Sequence, residues 1–305
     1  MTLKEQVLSS PHLILILTAI IGGTAARLLV LREDFRQYPT YPNGYLSHAV
    51  IGFVAATLGA VFVPALMTNN LTSVTFLTLA LTQFQGVRKL EQTSLQLMEE
   101  TEYTKRGNAY IDGISKTFEA RNYIALLVAL IIGVIMEALE GSQEPLRITV
   151  GIAGGVVVFY FLKHFSKGKV ISSIASVAAG EISIKNNELF VDDIFVSNRI
   201  GIKRGQEMLL EEGLAVVVTP HSDHYRIALD NYGQRQAILF EITRSLGIKR
   251  YHFTRKDYVD GRIVFVVVPI IQNIKRMITS VENTPLLEST QKKHKFIKEW
   301  ADDNE

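Results

Sequence analysis

The chain has 305 residues, of which 48% are apolar, with a mean hydropathy of +0.18 and a net charge of +2. A charge so near neutral offers no basic face for nucleic acid. The absence of cysteine excludes disulfides, thiolate nucleophiles and Cys-type zinc sites.

Apolar residues concentrate before residue 165, where basic and acidic residues number 12 each; residues 166–305 carry 20 and 18. The first stretch able to cross a membrane is residues 11–31, uncharged until Arg27 and of the right length for a hydrocarbon core. The alternative, a cleaved signal peptide, has little support: Lys4 is offset by Glu5, and Gly23-Thr24-Ala25 is a weak cleavage match. Further spans are expected at 46–67, at 71–84 (short and Thr-rich), at 123–139 and at 147–162. The last contains Gly151-x-x-x-Gly155, a spacing that permits close helix packing in lipid.

Five spans put the termini on opposite sides of the bilayer. Arg32 and Arg36 lie between spans one and two, six bases from Arg88 to Arg121 between three and four, and Lys163, Lys167 and Lys169 after five. The alternate loops hold one arginine, Arg147. The excess of positive charge on one side places the N-terminus outside and the C-terminal domain in the cytosol. It also supports the short third span, without which the six-base loop would lie outside. Arg27 is then expected to snorkel to the cytosolic interface. Glu137 and Glu140 are expected as solvated carboxylates at the outer end of span four.

Several segments converge on the cytosolic rim. Residues 32–44 hold Pro39, Pro42 and Asn43-Gly44, which predict a compact path between two helices. His48 opens span two. Residues 85–103 place Val87, Leu90, Leu97 and Met98 at helical spacing, an amphipathic helix. A polar, aromatic stretch at 108–123 then runs straight into span four. Arg27, His48, Asp112, Glu119 and Arg121 all fall at one depth.

Within that stretch, Tyr110-Ile111-Asp112-Gly113-Ile114-Ser115 resembles Tyr-Ile-Glu-Gly-Ile-Ala, the motif that names the YIEGIA family of membrane proteins in endospore-forming bacteria. Asn108-Ala109, Lys116-Thr117-Phe118-Glu119 and Arg121-Asn122-Tyr123 are similar to that family too, as is the plan of a membrane half followed by a soluble half. Asp112 stands for Glu and Ser115 for Ala; the first keeps the carboxylate and shortens its reach by one methylene. The resemblance implies a sporulation setting in the bacterial cytoplasmic membrane and supplies no reaction.

Asp112 supports two readings. As a general base at the membrane boundary, it would act as in membrane aspartic proteases, with His48 or Glu119 as orienting groups; such chemistry needs two carboxylates sharing a proton. Glu119, seven residues on, would be about 10 Å away along a helix axis. Otherwise Asp112-Gly113 is a turn or the start of a helix, with Asp112 bonding the free amides of the first turn. Tyr110, Gly113, Arg121 and Asn122, together with Arg27, are the candidate binding residues of the rim.

After span five, residues 171–179 read as a short packing helix or linker. Residues 181–191 alternate on either side of Asn186-Asn187, a hairpin signal. Residues 205–212 predict a helix stopped by Gly213, 214–218 a buried strand, and 229–246 a helix capped by Gly247. Strand runs at 250–258 and 262–268 flank Val259-Asp260-Gly261, a strong hairpin signal. A helix is expected from Pro269 through Val281. His221-Ser222-Asp223-His224 offers two possible metal ligands without a third, and reads as a polar loop; Asp192-Asp193 reads as an exposed strand end. Tyr258-Val259-Asp260-Gly261 echoes the earlier Tyr-Ile-Asp-Gly, a coincidence in the absence of Asp-Thr/Ser-Gly. No Walker, GxSxG, HExxH or GxGxxG pattern occurs.

The expected architecture is a polytopic α-helical membrane domain of about five spans with cytosolic rim loops (1–165), a cytosolic α+β sandwich domain (166–282) and a charged tail (283–305). The first functional reading is a protein that docks or regulates a cytosolic protein partner at the lipid bilayer. The second is a membrane-bound protease of aspartic type using Asp112. Neither requires a cofactor, a metal or nucleic acid.

Overall fold

A computed structural model describes residues 10–34, 42–67, 71–166, 168–198 and 200–290. The chain divides into two compact units, Met1–Ser94 with Ile114–Lys167, and Leu95–Gly113 with Gly168–Glu305. Residues 35–41, 68–70, Lys167 and 291–305, with Phe296, Ile297 and Trp300, lie outside the described residues.

The N-terminal helices are α1 (Ser10–Asp34), α2 (Pro42–Met67), α3 (Leu71–Gln85), α4 (Val87–Glu99), α5 (Asn108–Ala138) and α6 (Glu144–Phe165); all contain apolar runs except α4, which is amphipathic as expected. Four of them, α1, α2, α5 and α6, are long and apolar enough to cross a membrane. The third span expected at 71–84 is a helix, α3, but its 15 residues cover only about 22 Å, short of a hydrocarbon core of about 30 Å.

Helix α3 nevertheless carries the chain from one end of the bundle to the other. The end of α2 shares a cavity of about 480 Å³ with the end of α5: Phe62, Leu66 and Met67 face Leu130, Val134 and Ala138. At the end of α3, Phe84 meets Tyr123 edge-on with centroids 6.1 Å apart, and just beyond it Arg88 lies 3.9 Å from Glu119. These partners sit near the opposite end of the same apolar stretch of α5.

The interior of this unit is built from small residues. Ala19, Ala55, Ala56, Ala60, Ala125 and Ala129 are buried with Leu15 and Ile132. At Gly59 an added Cβ would strike the carbonyl of Leu126, and at Gly23 it would lie 2.6 Å from the carbonyl of Ala125. The outer surface is apolar: Ile21, Leu29, Leu46, Val157, Phe161 and Phe165 are all exposed.

The second unit is built on two antiparallel sheets. Strands β1 (Ala175–Gly180), β5 (Leu214–Pro220), β7 (Ile263–Pro269) and β6 (Ile248–Lys256) form one in that order; β2 (Ile182–Lys185), β3 (Glu188–Val191) and β4 (Ile194–Ser197) form the other. Helices α7 (Lys203–Glu212), α8 (Asp223–Asp230), α9 (Tyr232–Leu246) and α10 (Ile274–Glu282) complete it. Strand β7 is buried along its whole length and alternates between two cores. Ile263, Phe265 and Val267 pack with Leu229, Ile238, Ile242 and Met277; Val264, Val266 and Val268 pack with Leu189, Val191 and Leu209.

The expected hairpins form. Asn186 and Asn187 both take positive φ, 52° and 67°, as a tight turn between β2 and β3 requires. Gly261, at φ 67°, lies in the connection from β6 to β7.

Three expectations are corrected. Residues 171–179 are a 3-10 turn, Ile171–Ser173, and then strand β1. The helix at 229–246 is two helices, broken at Asn231, whose side chain accepts from the Gln234 amide to start α9. Pro269 ends β7 rather than opening a helix, and α10 begins at Ile274 behind the cap Asn273. Strand β4 was not expected at all.

Candidate functional site

The residues expected to meet at the rim separate into two constellations, one in each unit. In the helical unit, Arg27 from α1 is 0% exposed. Its Nε donates to Asn122 Oδ1 on α5 at 2.8 Å, and its guanidinium lies 5.4 Å from the centroid of the Phe118 ring. His48 from α2 is buried and stands edge-on to the same ring, 4.8 Å away. Ser115 and Asn122 are fully buried. The arginine stem crosses α2 at Gly52, where any Cβ would collide with Arg27 Cγ. The expectation that Arg27 snorkels is therefore corrected: hydrogen bonding and the aromatic face hold it inside the protein.

The remaining sequence candidates fall around this core. Glu119 is half-buried beside Arg88, and Arg121 is half-buried. Asp112 and Gly113 lie near the start of helix α5, so of the two alternatives, a turn or the start of a helix, the turn is absent. With the segment helical throughout, Asp112 and Glu119 stand about 10 Å apart along the axis, and Glu119 does not complete a proton-sharing carboxylate pair. Glu137 is corrected as well: its side chain is largely buried and lies 3.9 Å from His12, whereas Glu140 is exposed.

The start of the motif belongs to the second unit. Tyr110, 2% exposed, donates its hydroxyl to Glu241 Oε1 at 2.6 Å; Glu241 Oε2 accepts from Arg244 at 2.6 Å. The Tyr110 ring meets Phe240 edge-on, and the Arg106 guanidinium lies 4.5 Å from the centroid of the Phe240 ring. Glu99 accepts from the Gly107 amide at 2.7 Å, closing the loop that leads into α5. Glu241 and Arg244 escaped the sequence reading. Their signal is that Glu241 continues the buried stripe Gln234, Ile238 of α9, a place where a carboxylate needs a partner.

Elsewhere in this unit, Arg262 gathers three carboxylates: Asp193 at 2.8 Å, Asp257 at 3.0 Å and Asp260 at 3.3 Å. Hydrogen bonds from Arg262 hold the Asp193 carboxyl below its ordinary range. The Val259 amide, with Arg262, does the same for Asp257. The polar loop expected at 221–224 is corrected: Asp223 and His224 open helix α8, where Asp223 pairs with Arg226 at 3.1 Å. Among the described residues, no group of three His, Asp or Glu side chains could hold a metal ion.

The family model described as "YIEGIA protein" matches residues 15–296. The chain is 36% identical over 287 residues to a Bacillus subtilis (strain 168) protein named "Uncharacterized protein YphB", covering 92% of this chain and 94% of that protein. No solved structure matches the chain.

Proposed function

We propose that this chain, which belongs to the YIEGIA family, is a five-span protein of the bacterial cytoplasmic membrane that presents a cytosolic α+β domain to a protein partner during sporulation. The observation that carries the membrane part is the apolar outer surface of the helical unit. Arg27, His48 and Asn122 are buried beside an apolar core of alanines, Leu15, Ile132 and Met136, while Ile21, Leu29, Val157, Phe161 and Phe165 are outside. In water, exposing each such side chain forgoes roughly 1.5–3 kcal/mol of burial; in lipid it forgoes nothing.

Five crossings are supported by the end-to-end path of α3, in spite of its length. A short span is accommodated by local thinning of the bilayer. Orientation follows from the basic residues at 88–121 and 163–169. The sporulation setting rests on family resemblance alone.

Docking is supported by the tip of the β6–β7 hairpin. Tyr258 and Val259 are 74% and 80% exposed, and they are held rather than loose: Arg226 donates to the carbonyls of both, and Asp257 accepts from the Val259 amide. An exposed aromatic and aliphatic pair on a braced turn matches the anchor residues of protein interfaces. The partner it fits carries an apolar groove.

A photo-crosslinking residue at Tyr258 in sporulating cells tests this. The reading expects a discrete protein adduct that disappears with Val259→Asp and persists with Asp112→Asn. Absence of any adduct removes the docking reading. Proteins that accumulate uncut in the Asp112→Asn strain, and are cut by purified wild-type protein, would replace it with a protease.

A further inference from the structure

The larger sheet of the second unit ends in two edge strands, β1 and β6, and they differ. Strand β6 carries Lys249, Arg250, Arg255 and Lys256, and its register shifts between Ile248 and His252. Charge and irregularity of this kind keep an edge from pairing with another chain. Strand β1 is Ala-Ser-Val-Ala-Ala-Gly, with no charge and no proline, and its register against β5 is unbroken from Ala175 to Gly180. Ser176, Ala178 and Ala179 are exposed.

The register fixes where the backbone groups of β1 point. The Ile174 carbonyl accepts from the His221 amide at 2.9 Å, and the pairs Ala175↔Pro220 to Gly180↔Ala215 continue the same ladder. Bonded and non-bonded pairs alternate in an antiparallel ladder, so Ser176, Ala178 and Gly180 bond to β5. Pro220, which has no N–H to donate, stands opposite Ala175 at a non-bonded position. The N–H and C=O groups of Ala175, Val177 and Ala179 therefore point away from β5. Among the described residues, no other backbone segment bonds to them.

The side chains select what pairs there. Strand addition by a foreign peptide takes its specificity from pockets along the edge, and alanine, serine and glycine build none. A second β1 fits. In a two-fold antiparallel pairing centred on Val177, Ala175 stands opposite the partner's Ala179, and every outward N–H and C=O of both strands is used. Ser176 meets the partner's Ala178, and no charge faces a like charge. Helix α10, which packs on the Ala175 and Val177 face of the sheet, prolongs this surface. Its Ser280 is hydrogen-bonded to Ser245 of α9 at 2.7 Å. Ile278, about 200° round the helix from Ser280, lies on the flank turned away from α9 and is half-buried, as is Ile274. A strand added to β1 covers that flank.

We propose that β1 pairs with β1 of a second copy of this chain, joining two four-stranded sheets into one. The proposal is independent of the docking reading, because the hairpin tip lies on β6 and β7 and not at this edge. The chain has no cysteine, so single cysteines report on it cleanly. Differently tagged copies carrying Ser176→Cys and Ala178→Cys are co-expressed and oxidised in membranes. Pairing centred on Val177 sets these positions opposite one another with Cα atoms about 4.5 Å apart, within disulfide reach. The expected result is a cross-linked dimer at least about fivefold more abundant in the mixture than with either variant alone. Ala179→Pro in both copies removes an outward donor, leaves each bond to β5 in place, and lowers the cross-link at least about tenfold. Should Ala179→Pro fail to fold, Ser176→Glu with Ala178→Glu, both at exposed positions, sets carboxylates against one another across the seam. Light scattering of the full cysteine-free chain in mild detergent is then expected to read a dimer for the wild type and a monomer for the double variant.

A monomeric wild-type chain that gives no mixed cross-link in membranes overturns the proposal. So does a dimer whose mass neither Ala179→Pro nor the double glutamate variant changes. Cross-linking as strong with either cysteine alone as in the mixture overturns it too, since that marks collision rather than a paired ladder. Cross-linking to a different protein in place of the second copy assigns the edge to that protein and overturns self-pairing.

Discussion

Tyr110→Phe isolates a single interaction at the heart of the motif. The hydroxyl donates to Glu241 Oε1 at 2.6 Å, and both residues are buried. Phenylalanine preserves the ring and its contact with Phe240, so little packing is lost. Glu241 keeps its bond to Arg244 through Oε2, so the carboxylate is not left wholly unpaired. What is lost is one short hydrogen bond to a charged acceptor, about 1.5–3 kcal/mol. For a unit of this size that is roughly 3–12 °C in midpoint temperature. Arg244 is partly exposed and contributes less, so Arg244→Gln is expected to cost about 0.5 kcal/mol. Pulse proteolysis of the full chain in detergent, following the C-terminal fragment across a urea series, measures both. A loss below about 0.5 kcal/mol for Tyr110→Phe would refute the assignment of Tyr110 to the core of the second unit.

Gly59→Ala drives a methyl group into the Leu126 carbonyl and is expected to destabilise the helical unit by about 1–3 kcal/mol, read as a lower thermal midpoint in detergent. Gly113→Ala meets nothing within 4 Å inside a helix and is expected to stabilise by about 0.5–1 kcal/mol in the same assay. The depressed carboxyls of Asp193 and Asp257 add stability above the unfolded value near pH 4, and lose it as pH falls through their lower folded values. Hydrogen-exchange protection at 257–262 is accordingly expected to drop below about pH 4, with the drop reduced but not abolished in Arg262→Gln, because the Val259 amide still holds Asp257. Asp112→Asn, near the positive end of α5, is expected to cost no more than about 1 kcal/mol by urea titration.

Much of the fold is legible in the chain because its signals are local. Apolar runs of span length mark α1, α2, α5 and α6, and Asn186-Asn187 and Asp260-Gly261 mark two hairpins. Strand β1 is missed because Ala-Ser-Val-Ala-Ala-Gly has weak strand preference; it becomes a strand by pairing with β5 from Ala175↔Pro220 to Gly180↔Ala215. Its small residues have a use that only the tertiary structure reveals: a Cβ at Gly180 would strike Val191.

The site is less legible. Membrane depth brings Arg27, His48 and Arg121 to one level, but says nothing of Gly52, which makes room for the arginine to turn inward. The motif reads as one unit in sequence, whereas Tyr110 finds its partner 131 residues away in α9 and Phe118 finds Arg27 and His48 in the helical unit. Helical periodicity gives the faces of α5; it does not give what each face meets.

The membrane path is tested most directly by single-cysteine labelling in intact cells, which the cysteine-free chain makes simple. Cysteines at Lys4, Arg36, Asn69, Ser142 and Ser222 would be treated with a membrane-impermeant maleimide. Five crossings predict labelling at Lys4, Asn69 and Ser142, and protection at Arg36 and Ser222. Labelling at Arg36, with Lys4 and Asn69 protected, would mean four crossings, a third helix that does not traverse the bilayer, and an N-terminus on the cytosolic side.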